Sequence, residues 1–224
     1  MFPGGNGSRL SYKFAVMISV VSTAAVVHRE WVVERLRVTT LPPFDPGEVP
    51  LFRHPADKQP IPAAVLVPLV NRPEGTTILL TQRTAHLNKH AGQISFPGGR
   101  VDPDDLDRID TALRETAEEI GLPRDRVETL GVLPDFDIAT GFRVTPVVGW
   151  VEPPFDLAPD PFEVADIFEV PLHFLLDRAN YQRHEDVRDG RRRHYYAVPY
   201  ETRHIWGATA GMLYCLRHLL AHDH

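Results

Sequence analysis

The sequence predicts an α/β fold in which strands and helices intermix within one domain. Three observations carry that expectation. The run from Ala63 to Val70 is continuously apolar, as a buried strand requires. An amphipathic, acid-rich segment between Thr111 and Ile120 has helical spacing and meets Gly121, a natural terminator. A second, strongly apolar helical segment runs from about Ala208 to Ala221, after at least four strand candidates.

The chain has 224 residues, 43% of them apolar, which suits one sizeable core rather than two. Its formal charge of -6 creates no overall field that attracts nucleic acid or an anionic lipid surface. A small anionic substrate stays compatible with it, because a local basic group or a bound cation overrides the net sign. The single cysteine, Cys215, forms no intrachain disulfide, and its apolar neighbours make it an inert core thiol.

The elements follow in order. Phe14 to Val27 is nearly all apolar or small and superficially resembles an export signal, but it is too short to span a bilayer. No stable membrane insertion is expected, and the expected location is cytoplasmic. Glu30 to Leu36 is read as a helix with Val32, Val33 and Leu36 on one stripe. Seven prolines between Pro42 and Pro62 make an extended connection. Residues 1–51 are therefore read as an N-terminal extension, partly helical or disordered, and 52–224 as the main domain. In the Ala63–Val70 strand, Pro68 argues against a central position. Thr76 to Thr81, Val127 to Leu133, Val144 to Val151 and His194 to Val198 are further strands, with Pro146 marking an edge or an irregularity. Phe174 to Leu176 suggests a short helix. Arg188 and Arg191 to Arg193 flank Asp189-Gly190 and read as a solvated hairpin tip. Trp206, between Ile205 and Gly207, reads as a core or helix-start anchor, with stacking on adenine as the alternative. His86 and His90 lack a third soft ligand at a convincing spacing, so zinc is not expected.

The chemistry lies between Phe96 and Leu122. Pro97-Gly98-Gly99 is a turn whose glycines allow chain or ligand to approach closely. Asp107 or Asp110 caps the helix start, and Ala112, Leu113, Ala117 and Ile120 form its apolar side. At 100° per residue, Glu115, Glu118 and Glu119 fall within an arc of roughly 100°. Like charges so close require something positive among them. Arg114 lies one turn before Glu118 and pairs with it in this reading, leaving Glu115 and Glu119 as a clamp for a hard cation, Mg²⁺ or Mn²⁺. A solvated acidic helix face is the alternative.

Arg114-Glu115-Thr116-Ala117-Glu118-Glu119-Ile120-Gly121-Leu122 resembles the second half of the Nudix hydrolase box, with Thr116 where the box has an aliphatic residue. The step from Gly99 to Arg114 is one residue longer than in the box, and the expected acid then falls on Asp105, with Leu106 following. The neighbouring Leu79-Leu80-Thr81-Gln82-Arg83 and Gly92-Gln93-Ile94-Ser95-Phe96-Pro97-Gly98-Gly99 are similar to the signature of the coenzyme A pyrophosphatase branch. Glu163 to Leu172 and Ile205-Trp206-Gly207-Ala208-Thr209-Ala210 continue that similarity.

The resemblance implies a Nudix-like α/β/α sandwich with a mixed sheet. It implies Mg²⁺ or Mn²⁺ held by Glu115, Glu118 and Glu119, with Arg114 orienting the acids; if a base is needed to activate water, Glu118 is the local candidate and Glu163 the distal one. Arg83, Lys89, His90, Gly98 and Gly99 are the implied substrate contacts, Arg83 as a phosphate-binding fork. The implied reaction is hydrolysis of coenzyme A or acyl-CoA to 3',5'-ADP and 4'-phosphopantetheine or its acylated form. A Nudix enzyme acting on ADP-ribose, NADH or another nucleoside diphosphate derivative is the competing expectation. No nucleic-acid partner is expected, and a homodimer stays compatible with the sequence.

Overall fold

A computed structural model describes residues 27–38, 59–86, 92–138, 140–188 and 191–220. The apolar run Phe14–Val27, save its last residue, and most of the proline-rich connection lie outside them. Helix α1 spans Arg29–Val38; strands β1 to β4 span Ile61–Val70, Thr77–Arg83, Ile94–Ser95 and Gly98–Arg100. Helix α2 spans Arg108–Ile120 and is followed by β5 (Val127–Val132), β6 (Phe136–Asp137), β7 (Phe142–Val151) and β8 (Val164–Pro171). The chain ends with α3 (Leu172–Leu176), β9 (Gln182–Arg188), β10 (Arg191–Tyr200), β11 (Arg203–Trp206) and α4 (Ala208–Leu220).

The main sheet runs β3-β2-β1-β7-β5, with β4 on β1, β6 on β7 and β8 on β2. Only β1 and β7 pair in parallel, so the sheet is mixed. One face packs α2 through Ala112 and Ile120 against Ala64, Leu66, Leu79 and Val147. The other packs α1 and α4 through Val32, Met212 and Leu216 against Val67, Leu69, Ile78 and Val148. The result is an α/β/α sandwich. The antiparallel sheet β9-β10-β11 adds Tyr196, Val198 and Ile205 to that second core. Helix α4 is buried nearly all round, as expected between two layers, and Cys215 within it is fully enclosed, its thiol pushed up to about 12 by burial. Helix α1 belongs to this body: Val32 is in the core and the Arg35 guanidinium donates to the Leu219 carbonyl at 2.8 Å.

Pro68 sits in the centre of the sheet, against the expectation of an edge, and the register explains why. The amides of Ile61 and Asn71 donate towards β7, to Gly141 and Val151, so by alternation even-numbered residues of β1 point to the opposite side. There β4 pairs only with Ala63 to Val65 and β2 only with Leu69 and Val70. Pro68 falls in the gap, where no strand asks for its missing N–H. Pro146 in β7 uses the same device. Its carbonyl accepts from Leu133, between the pairing of β6 at Val144 and that of β5 at Val147. Splitting each flank between two short strands lets both prolines enter a central position.

Candidate active site

Helix α2 starts where the Asp107 side chain accepts the Asp110 amide at 2.8 Å, and it ends where Gly121 turns left-handed at φ 70°. Thr116 occupies a buried position on its core face, and its hydroxyl donates to the Ala112 carbonyl at 2.6 Å. That internal bond lets a polar residue stand where an aliphatic one was expected.

The opposite edge of the helix lies over β4, with Glu115 and Glu119 one turn apart. The Gly98 amide donates to Glu119 Oε2 at 3.0 Å. Gly99 is backed so closely by Glu115 that a Cβ there would stand 2.5 Å from the carboxylate carbon. Gly98 has φ 145°, and a Cβ would lie 2.4 Å from the Ala64 carbonyl oxygen. Both glycines are thus fixed by sterics, one by the site and one by the sheet.

Arg114 is the electrostatic centre of the first half of the site. It forks onto Asp105 with bonds of 2.7 and 2.9 Å, and its Nη1 donates to Glu115 and Glu118 at 3.0 Å each. The expected pairing with Glu118 is present, but Asp105 is the dominant partner, and Thr111 also donates to it. This fork holds the Asp105 carboxyl well below the usual carboxylate range. Leu106, the residue after Asp105, turns its side chain into solvent at 90% exposure, leaving Asp105 beneath Arg114.

Glu163 reaches the site by a pinned loop. The amides of Ala158 and Asp160 donate to the Ile120 and Glu119 carbonyls, satisfying the last turn of α2. Thr84, at the end of β2, donates through its amide to the Glu163 carbonyl and through its hydroxyl to that of Phe162. A register shift in the β2–β8 ladder sets Gln82 opposite Asp166 and Arg83 opposite Val164. Arg83 then lies between two acids, its Nη1 3.7 Å from Glu119 and its Nη2 3.8 Å from Glu163.

Burial pushes the Glu119 carboxyl up to about 7. The charges of Glu163 and Glu115 add to the shift, while the Gly98 amide and Arg83 oppose it. Glu115 is raised by burial, against the pull of Arg114. Glu118 is more open, with 61% of its side chain exposed. Among the described residues no three acids or imidazoles converge on one point at coordination distance, and Arg83 and Arg114 take up the acids' charge. An all-oxygen donor set of mutually repelling carboxylates fits a hard divalent cation such as Mg²⁺ or Mn²⁺.

The structure thus brings together Arg83, Gly98, Gly99, Arg114, Glu115, Glu118, Glu119 and Glu163. Lys89 and His90 lie outside the described residues. Glu169 is taken up structurally, by Arg72 and Thr77. Trp206 differs from its sequence reading: Ile205 is the buried anchor, and the indole is 40% exposed. The Arg83–Glu119 contact has no local signal in the sequence, because the two residues meet only through strand pairing and helix packing.

A family model described as the NUDIX domain matches residues 60–190. The Nudix hydrolase NudL of Yersinia pestis (strain Pestoides F), described as uncharacterized, is 45% identical over 157 residues, covering 70% of this chain and 77% of its own. NudL of Yersinia pseudotuberculosis serotype O:1b (strain IP 31758) gives the same values. Among solved structures, an Ap4A hydrolase binary complex from C. elegans is 23% identical, with a TM-score of 0.43 over 49% of this chain and 80% of that one.

Proposed function

This chain belongs to the Nudix family, and on that premise we propose that it hydrolyses the diphosphate linkage of coenzyme A or an acyl-CoA to 3',5'-ADP and (acyl-)4'-phosphopantetheine. One observation carries the reading. Two segments of the coenzyme A pyrophosphatase resemblance, Gly98 of the glycine turn and Arg83 of β2, meet on one carboxylate of the Nudix box, Glu119.

Glu115 and Glu119 would hold a divalent cation and Glu118 would support it. Bound there, the ion would neutralise diphosphate charge and lower the pKa of an attacking water. Arg114, clamped by Asp105, keeps Glu115 and Glu118 aimed. The Arg83 guanidinium exchanges its long contacts with Glu119 and Glu163 for a phosphate oxygen, which its fork geometry favours. Released from Arg83, Glu163 is the base. It takes a proton from water as the new P–O bond forms and the bridging P–O bond breaks. Gly99 keeps the backbone beside Glu115 free of a side chain, so the diphosphate can approach, while the Gly98 amide holds Glu119.

The test is product identification after incubation with coenzyme A and Mn²⁺ or Mg²⁺, beside ADP-ribose and NADH at equal concentration. The expected products are 3',5'-ADP and 4'-phosphopantetheine. Equal or greater kcat/KM on ADP-ribose or NADH overturns the coenzyme A assignment.

A further inference from the structure

Beyond the carboxylate cluster, on the other face of the same strand, lies a cavity of about 550 Å³. Ile78 and Leu80 of β2 enter one core and Leu79 the other, so Gln82 follows the former and Arg83 the latter. The end of β2 therefore carries the site's arginine on one face and the wall of this cavity on the other, one residue apart. Gln82, Asp166, Thr202, Arg203, His204 and Trp206 line it, and its volume suits a small ligand.

Its polar groups are ordered by contacts within the protein. Arg203 is held with its guanidinium 3.8 Å from the Phe168 ring centroid, donates to Asp166 Oδ2 at 2.6 Å and to Gln82 Oε1 at 3.3 Å. Because Arg203 takes the oxygen of the Gln82 amide, that amide offers its NH₂ as a donor. Asp166, directly opposite Gln82 in the ladder and 47% exposed, keeps acceptor capacity beyond the single bond it receives. A donor and an acceptor thus stand side by side. Beside them Trp206 offers a partly exposed indole, braced edge-on by Tyr195 at a centroid distance of 5.8 Å.

We propose that this cavity is the nucleobase subsite and that it selects adenine. Adenine presents an amino donor next to a ring-nitrogen acceptor on either hydrogen-bonding edge, complementary to Asp166 and Gln82. Read through its N7 edge, hypoxanthine presents two acceptors, a carbonyl and a ring nitrogen, and sets one of them against the Asp166 carboxylate. Stacking on Trp206 supplies the remaining affinity. A nucleotide crossing the end of β2 places its phosphates beside Arg83 and its base beside Trp206. The inference rests on the reading that the substrate contains adenosine, but not on coenzyme A in particular.

Calorimetric titration of the full chain with AMP, IMP and ribose 5-phosphate tests it, in the wild type, Trp206→Ala and Trp206→Phe. AMP is expected to bind about tenfold more tightly than IMP; Trp206→Ala loses about tenfold for AMP and Trp206→Phe recovers most of it. Ribose 5-phosphate, which lacks a base, binds all three alike. Undetectable AMP binding, equal affinity for AMP and IMP, or an AMP affinity untouched by Trp206→Ala overturns the proposal. Hydrolysis of coenzyme A by the wild type is read separately. Its absence with AMP binding intact overturns the coenzyme A reading alone, while hydrolysis with base-blind binding overturns the subsite alone.

Discussion

Adding one methyl group to either of two adjacent glycines separates the function of the site from the stability of the fold. In Gly99→Ala the new Cβ stands 2.5 Å from Glu115 Cδ and Oε2 and 2.7 Å from Oε1. Ordinary contact begins near about 3.5 Å, so the carboxylate must retreat by about 1 Å. The Gly99 backbone is not left-handed and accepts alanine, so the cost falls on the position of Glu115 relative to Arg114, 3.0 Å away. A misplacement of that size in a catalytic array lowers the rate by about 100-fold. In Gly98→Ala the Cβ meets the Ala64 carbonyl at 2.4 Å and φ is 145°, so backbone must move. Strain of that kind costs about 1–3 kcal/mol, several degrees in Tm. Thermal melts and steady-state kinetics of the two variants are the assay. Gly99→Ala should melt within about a degree of the wild type with kcat reduced about 100-fold, while Gly98→Ala should lose several degrees. Wild-type turnover in Gly99→Ala, or an equal loss of Tm in both, refutes the reasoning.

Glu115→Gln and Glu119→Gln should each reduce kcat by about 100-fold or more with the fold retained, since each removes a charge from the proposed cation clamp and keeps the side chain's shape; circular dichroism with kinetics checks both. Asp105→Asn should lower Tm at pH 7, because it removes one of the three carboxylates paired with Arg114, the one that takes its two-pronged fork. The hydrogen-bonded Arg114 fork keeps the folded Asp105 carboxyl below its unfolded value. Its stabilisation is therefore complete above about pH 4 and is lost as the pH falls further, so the Tm gap between wild type and Asp105→Asn should narrow at pH 3. A gap that widens in acid contradicts the assignment. Cys215→Ala should leave kcat within about twofold of the wild type, as the thiol is enclosed in α4 and touches no part of the site.

The acidic helix was legible because its signals are local. A capping aspartate, a 3.6-residue apolar period and a closing glycine all lie within one stretch of chain, and the three glutamates follow from the same period. Continuous apolar runs likewise announced β1 and β7. What the sequence hid depends on pairing across distance. Gaps between short flanking strands tolerate Pro68 and Pro146, and nothing local to either residue reveals a gap. The two-residue strands β3 and β6 are too short to show a period. Asp105 was readable as an acid in the right place, but its fork onto Arg114 appears only once Leu106 is seen turned out to solvent. Trp206 was misplaced because an aromatic between an isoleucine and a glycine looks like core. Strand alternation buries Ile205 and turns Trp206 outward.

The proposed hydrolysis requires a divalent cation gripped by Glu115 and Glu119. Electron paramagnetic resonance of free Mn²⁺, titrated against chelator-treated protein, measures that grip without reference to turnover. The wild type should deplete the free-ion signal, and Glu115→Gln and Glu119→Gln should each weaken binding by about tenfold or more. Mn²⁺ binding that is equally strong in all three proteins contradicts the account.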